Sequence, residues 1–241
     1  MTAGMLIDDV AEELARKGYA VREQAAMRRW LEPGWEAFAQ SWNGLAEDRY
    51  MADGGRYRRR RFAVFRVERG TIVRLPHQPH FQALTYNRLN GGVARWFAPV
   101  SDAIATHPIT RRILGEAAAL FDTALPSGGA SWHVEMHQFR IAARQDAAGL
   151  PTPEGVHRDG VDGVVVMLVG RSNVASGITE IFDPHGGKLG AFTLARPGDT
   201  VFLDDARVFH GVTPIVPLDP AHPALRDVLV VTFQRDPMTA Q

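Results

Sequence analysis

The sequence predicts an α+β fold, with helices leading and a β-sandwich or barrel following. Two observations carry this. Before residue 126, apolar residues recur at helical spacing in several stretches. From Trp132 onward the chain breaks into short apolar or alternating segments with turn residues between them, the pattern of an all-β sandwich or barrel. Hydrophobic residues make up 45% of the 241, enough to fill a core. No linker or repeat divides the chain, so residues 1–241 are expected to form one domain, with 1–50 as a helical part packed on the roll.

Residues 5–17 place Met5, Ile7, Val10, Ala11 and Leu14 on one helical face, and Gly18 ends it. Residues 23–47 read as helical with a break at Pro33-Gly34. Trp30, Trp35, Phe38, Trp42 and Leu45 there are core, since aromatic stripes at helical spacing usually are. Arg58 to Arg61 are consecutive arginines that could meet phosphate. The neutral balance of the chain favours a solvated strand entrance instead. Strands are expected at 62–68 and 71–75 around an Arg69-Gly70 turn. Residues 81–97 are punctuated by Tyr86-Asn87 and Gly91-Gly92, a loop or strand end. Two helices follow between Pro99 and Leu125, the second opening on Pro108 at the favoured first position. Pro126 to Gly129 marks the change of character. Strands are then expected at 132–141, 161–169, 177–182, 189–194, 200–203, 208–215 and 228–234. The Ala-, Gly- and Pro-rich segment 142–156 is long enough to be a lid.

The totals exclude several classes. Lys+Arg and Asp+Glu are both 27, so the basic excess of a nucleic-acid binder is missing. With no cysteine there is no disulfide, iron–sulfur cluster or thiolate zinc site. No apolar run reaches the length of a membrane span. The start carries Asp8, Asp9, Glu12 and Glu13 rather than a basic end and an apolar block, so the expected location is the cytoplasm.

The chemistry centres on Gly155-Val156-His157-Arg158-Asp159-Gly160. On an extended strand His157 and Asp159 share a face and Arg158 turns away. A second imidazole, His210 in Phe209-His210-Gly211, would complete the two-histidine, one-carboxylate facial set of non-haem iron oxygenases. The turn and strand Pro197 to Leu203 before it are similar to those preceding the distal histidine in double-stranded β-helix enzymes. Arg226 opens the last strand, where its guanidinium could hold the far end of a dicarboxylate. The alternatives are an ion pair of Arg226 with Asp227, and Arg235 as the cation. His133, Glu135 and His137 also share a strand face. At about 3.3 Å per residue, however, the outer two lie roughly 13 Å apart, too far for one metal.

Several stretches together resemble iron- and 2-oxoglutarate-dependent dioxygenases related to bacterial L-isoleucine 4-hydroxylase, which act on free amino acids. They are Tyr57-Arg58-Arg59 with Arg61, Tyr86-Asn87 with Gly91-Gly92, Trp132 to Arg140, Glu154 to Gly160, His210-Gly211-Val212 and Arg226 to Leu229. The stretch around His157 is the most specific, and the similarity spans about 57–236. The resemblance implies a double-stranded β-helix (jelly-roll, cupin-like) core with flanking helices. It implies Fe(II) on His157, Asp159 and His210, and Arg226 as the 2-oxoglutarate anchor. O₂ is then the second cosubstrate, and an aliphatic carbon of a small substrate is hydroxylated with succinate and CO₂ as coproducts. His137, Gln138, Arg140 and Asn87 are candidate substrate contacts. Strand alternation puts Gln138 and Arg140 on one face and His137 on the other. Two other readings are a cupin-like metal enzyme without 2-oxoglutarate and a non-catalytic module that binds a small ligand.

Overall fold

A computed structural model describes residues 3–125 and 131–235. The side chain of Met5 and the expected turn at Pro126 to Gly129 lie outside the described residues. The chain runs α1 (Ala3–Lys17), β1 (Tyr19–Arg22), α2 (Gln24–Leu31), α3 (Trp35–Gln40), a 3₁₀ turn (Ser41–Gly44) and β2 (Ala46–Glu47). Next come β3 (Arg58–Glu68), β4 (Thr71–Arg74), α4 (Asp102–Ala105), α5 (Pro108–Ala124), β5 (Trp132–Ala143) and β6 (Gly163–Ser172). The last strands are β7 (Thr179–Phe182), β8 (Lys188–Phe192), β9 (Thr200–Asp204), β10 (Phe209–Val212) and β11 (Ala224–Arg235). Among the described residues no helix is long and apolar enough to cross a membrane.

The strands form two sheets. The larger has the order β1-β9-β6-β11-β5-β3-β2, with β4 paired to the outer part of β3. The smaller has the order β10-β7-β8. All these pairings are antiparallel. This is the expected jelly-roll with helices on its outside. Strand alternation sorts the large sheet into two faces. Ala63, Phe65, Val67, Val134, Met136, Leu229, Val231 and Phe233 face the helices. They share one buried cluster with Leu14, Trp30, Phe38, Trp42, Ile113, Leu114 and Phe121. The opposite face carries Val164, Leu168, Val228, Val201 and Leu203, which pack with Ile181 of the small sheet. That second face is the interior of the roll, and the site lies there.

Several boundaries shift from the sequence reading for physical reasons. A short strand, β1, follows Gly18 and caps the sheet edge by pairing with β9. It was not foreseen, because Tyr19–Arg22 is too short to show a period. Gly18 ends α1 at φ +77°, its N–H donating to the Leu14 carbonyl, a helix C-cap that glycine adopts without strain. Pro108 opens α5, and the His107 ring nitrogen accepts the Ile109 N–H as an N-cap. β3 starts at Arg58, four residues before the expected Phe62, so the arginine run is inside the strand. Arg58 and Arg60 are buried on the interior face and Arg59 is exposed, which corrects the solvated-entrance reading. The expected strand over 208–215 shortens to Phe209–Val212, and the last strand starts earlier than expected, at Ala224.

Candidate active site

His157 is not on a regular strand. It forms an isolated antiparallel bridge with His210 of β10, each backbone N–H donating to the other's carbonyl at 2.9 Å. The bridge brings the two rings to 4.6 Å between centroids. Asp159 sits between them. One carboxylate oxygen is 3.7 Å from His157 Nε2 and the other 3.7 Å from His210 Nε2. One ligand atom from each of the three lies within 4.8 Å of the others, a spacing that can hold a single metal ion.

The surroundings prepare this set for a metal. His157 Nδ1–H donates to the Gly155 carbonyl at 3.0 Å, which leaves Nε2 as the nitrogen that faces Asp159. The turn beyond Asp159 is held by Asp205, whose carboxylate accepts the backbone N–H groups of Asp159, Gly160 and Val161. Asp205 was not singled out from sequence; the only signal was its place just after β9. Gly160 is at φ +84°, and a Cβ there would come within 2.5 Å of the Tyr86 ring. Burial disfavours charge on His157, but the Asp159 carboxylate and Glu154 outweigh it and push the imidazole up to about 9. A metal entering at neutral pH therefore displaces a proton. Burial and the neighbouring His157 push His210 down to about 4, so it is neutral and able to ligate. Arg158 leaves the site, its guanidinium donating to the Ala206 carbonyl and lying over the Phe209 ring.

Arg226 lies on the interior face of β11, opposite Ile141 of β5 and Arg171 of β6. It is 2% exposed, and its Nε and Nη2 have no hydrogen-bond partner among the described residues. Burial, then the nearby Arg171, lowers its pKa to about 10, so it remains a cation. A buried guanidinium without a partner is costly, and an anion arriving from outside the chain relieves that cost. Asp227, offered by the sequence as its ion-pair partner, instead binds Arg140 at 2.7 Å through both carboxylate oxygens. Arg235 pairs with Asp162.

A cavity of about 310 Å³ opens beside the triad, with Asp159 and Glu154 in its wall. That volume suits a metabolite-sized ligand. Its far wall is polar. There Glu135 accepts from His80 Nδ1 at 2.8 Å and lies 3.6 Å from His137 Nε2. Arg60 donates to His137 Nδ1 at 2.6 Å and is stacked between Phe97 and Phe139. The roof is the segment between β4 and α4, which supplies His80, Phe81, Gln82, Tyr86, Asn87 and Arg95. Segment 142–156, the candidate lid, is held at two points. Gly149 bridges to Ile215, and Thr152 hydrogen-bonds with Val212.

Of the four substrate candidates, His137 and Asn87 line the cavity. Asn87 also braces the roof, bonding Gln82 and the Asn90 N–H. Gln138 and Arg140 lie on the helix-facing side of β5. Gln138 donates to Ser41 and Arg140 to Asp227 and Asn43. Two-residue alternation turns both away from the cavity, so neither is retained as a substrate contact.

Comparison with known proteins agrees with this geometry. The family model described as 2OG-Fe dioxygenase matches residues 39–232. L-isoleucine-4-hydroxylase from Bacillus thuringiensis is 28% identical over 156 residues, 64% of this chain and 64% of that protein, less than two thirds of its length. 3(1)-hydroxy-L-isoleucine 4-dioxygenase from Pantoea ananatis (strain AJ13355) is 24% identical over 171 residues, 70% of this chain and 69% of the relative. The crystal structure of a bsmA homologue from Methylobium petroleophilum PM1 superposes with a TM-score of 0.85 at 38% identity. It covers 95% of this chain and 93% of the other.

Proposed function

The chain belongs to the 2OG-Fe dioxygenase family, and on that premise we propose that it hydroxylates an aliphatic carbon of a free L-amino acid. The whole described chain acts as one catalytic unit. His157, Asp159 and His210 would hold Fe(II), with Asp159 in the wall of the cavity. Bound there, iron and 2-oxoglutarate supply O₂ activation; one oxygen atom enters the substrate, and the cosubstrate leaves as succinate and CO₂.

The protein's own part is placement. Arg226 receives the distal carboxylate of 2-oxoglutarate as a bidentate, charge-assisted pair. Val228 and Val230, next on the same face of β11, line the interior with apolar surface and keep water away. Asp205 keeps the Asp159 turn rigid, so the carboxylate stays between the two imidazoles. The cavity wall beside Asp159 would position a substrate C–H bond close to iron held by these ligands.

The observation that carries the reading is the presence, in the interior of the roll, of both the triad and a buried Arg226 whose Nε and Nη2 have no hydrogen-bond partner among the described residues. A metal enzyme that does not use 2-oxoglutarate has no task for that cation. The test is an aerobic screen of free L-amino acids with Fe(II) and 2-oxoglutarate. Success is succinate formation matched by a product one oxygen heavier, both lost in His210→Ala. Succinate that no amino acid stimulates, or equal yields in His210→Ala, rejects the reading.

A further inference from the structure

The cavity wall contains a second buried cation without a partner. Arg95 is 1% exposed, and its Nε and Nη2 have no hydrogen-bond partner among the described residues. Its backbone is fixed by a two-way bridge to His80. Two more buried guanidinium groups stand on the same wall. Arg58 is engaged by Asp48 at 2.7 Å, and Arg60 by His137 and, at 3.8 Å, by Asp48. Even so, Arg58 Nη2 and Arg60 Nε are also unpaired. These three cations stand near the carboxylates of Asp48, Glu135 and Glu154, yet each keeps guanidinium N–H groups without a hydrogen-bond partner among the described residues. The opposite pole is Glu154, whose Oε2 is buried and unpaired in the same cavity. Glu154 Oε1 lies 3.4 Å from His157 Nε2, so one oxygen of that carboxylate is left for a ligand. Unpartnered guanidinium N–H groups and an unpartnered carboxylate oxygen in one cavity are the two features a zwitterion needs.

The wall also contains His80, Glu135 and His137 at metal-ligand spacing. The hydrogen bonds argue against a metal there. Arg60 donates to His137 Nδ1, so the lone pair of the neutral ring is taken and its proton sits on Nε2, toward Glu135. A divalent cation would also stand beside Arg60, which repels it. Glu135 and its histidines act instead as a rigid support that fixes Arg60.

We infer that Arg95, seconded by Arg58 and Arg60, binds the carboxylate of the substrate, with the substrate's ammonium directed to Glu154. This rests on the hydroxylase reading for the identity of the substrate but not for the existence of the anion subsite. Arg226 and Arg95 then divide the two anions between them, cosubstrate on one and substrate on the other.

The test separates the two ideas by using fragments. Isovalerate carries a carboxylate and an aliphatic tail without an amine; isopentylamine carries the amine alone. Binding is measured by calorimetry on the full chain with Fe(II) and 2-oxoglutarate added anaerobically to occupy the Arg226 end. Isovalerate is expected to bind the wild type, and Arg95→Met to weaken it by about 100-fold, the scale of a charged hydrogen-bonded pair. Isopentylamine is expected to bind wild type and Arg95→Met within about threefold of each other. A melting temperature for Arg95→Met at or above wild type shows that the variant folds, because an unpaired buried charge has been replaced by an apolar side chain. Isovalerate that fails to bind wild type, or binds Arg95→Met equally, overturns the inference. The hydroxylase reading fails on a different signal, the absence of any visible charge-transfer band on adding Fe(II) and 2-oxoglutarate.

Discussion

Two clusters in the roll have the same composition, two histidines and a carboxylate, and both hold their ligand atoms within 4.8 Å. Ligand spacing does not separate His157–Asp159–His210 from His80–Glu135–His137. Their surroundings do. In the first, a backbone carbonyl accepts the far ring N–H of His157 and directs Nε2 toward Asp159. In the second, Arg60 occupies the lone pair of His137, and burial, with Arg60 and His80, pushes that imidazole down to about 3. The first cluster is therefore built to exchange the His157 Nε2 proton for a metal, the proton leaving to solvent. The second is a neutral brace for a cation. The tautomer imposed by the next shell of hydrogen bonds, together with nearby charge, decides what a His/carboxylate set does.

The largest effect tests the first cluster. His157→Ala is expected to lower turnover by more than about 1,000-fold and to lose Fe(II) binding, since two ligands cannot maintain the facial set. Turnover and metal content measured on the same sample check this together. Next in size is the support of the second cluster. Asp48 is buried with Arg58 and Arg60, and Asp48→Asn leaves two buried cations short of their counter-charge, a cost of about 3–5 kcal/mol. Urea unfolding measures it. Burial opposes ionisation of Asp48, but the two arginines outweigh it and hold its pKa below the ordinary 3.8. The sign follows from that depression: the stabilisation is complete above about pH 4 and falls away as pH drops through the lower folded value. Wild type is thus expected to lose stability steeply on acidification, with a shallower loss in Asp48→Asn.

Arg226→Met follows. The KM for 2-oxoglutarate is expected to rise about 100-fold, roughly 2.7 kcal/mol, while Fe(II) affinity stays the same. A KM unchanged within threefold removes Arg226 from the cosubstrate. The smallest effect belongs to the back of β5. Gln138→Ala removes a hydrogen bond to Ser41 and is expected to cost about 1 kcal/mol, with no change in the KM of any amino-acid substrate. A selective KM change there would mean that the two faces of β5 are not separate in function.

This contrast also explains what the sequence could reveal. The roll was legible because β5, β6 and β11 carry unbroken two-residue alternation or continuous apolar runs. His157 and Asp159 were singled out by their two-residue spacing, His210 by the turn and strand before it, and Arg226 by its place at the opening of the last strand. The second cluster was not, because His80 comes from the irregular stretch between β4 and α4, where no period links it to Glu135. The buried arginines were misread for a related reason. Four consecutive arginines look like a solvated run until the strand is seen to begin at Arg58, which turns alternate guanidiniums inward. Asp205 was invisible because its role is to accept backbone N–H groups from a turn far along the chain. Segment 142–156 was legible as a loop, but composition does not show the contacts that hold it to Ile215 and Val212.

The most direct measurement is an anaerobic titration of Fe(II) in saturating 2-oxoglutarate, following the visible charge-transfer band. Wild type and Glu135→Gln are each expected to saturate at one iron per chain with equal intensity, and His157→Ala to show no band. A second equivalent in wild type, or a band that persists in His157→Ala and disappears in Glu135→Gln, would place the iron in the other cluster and contradict the assignment.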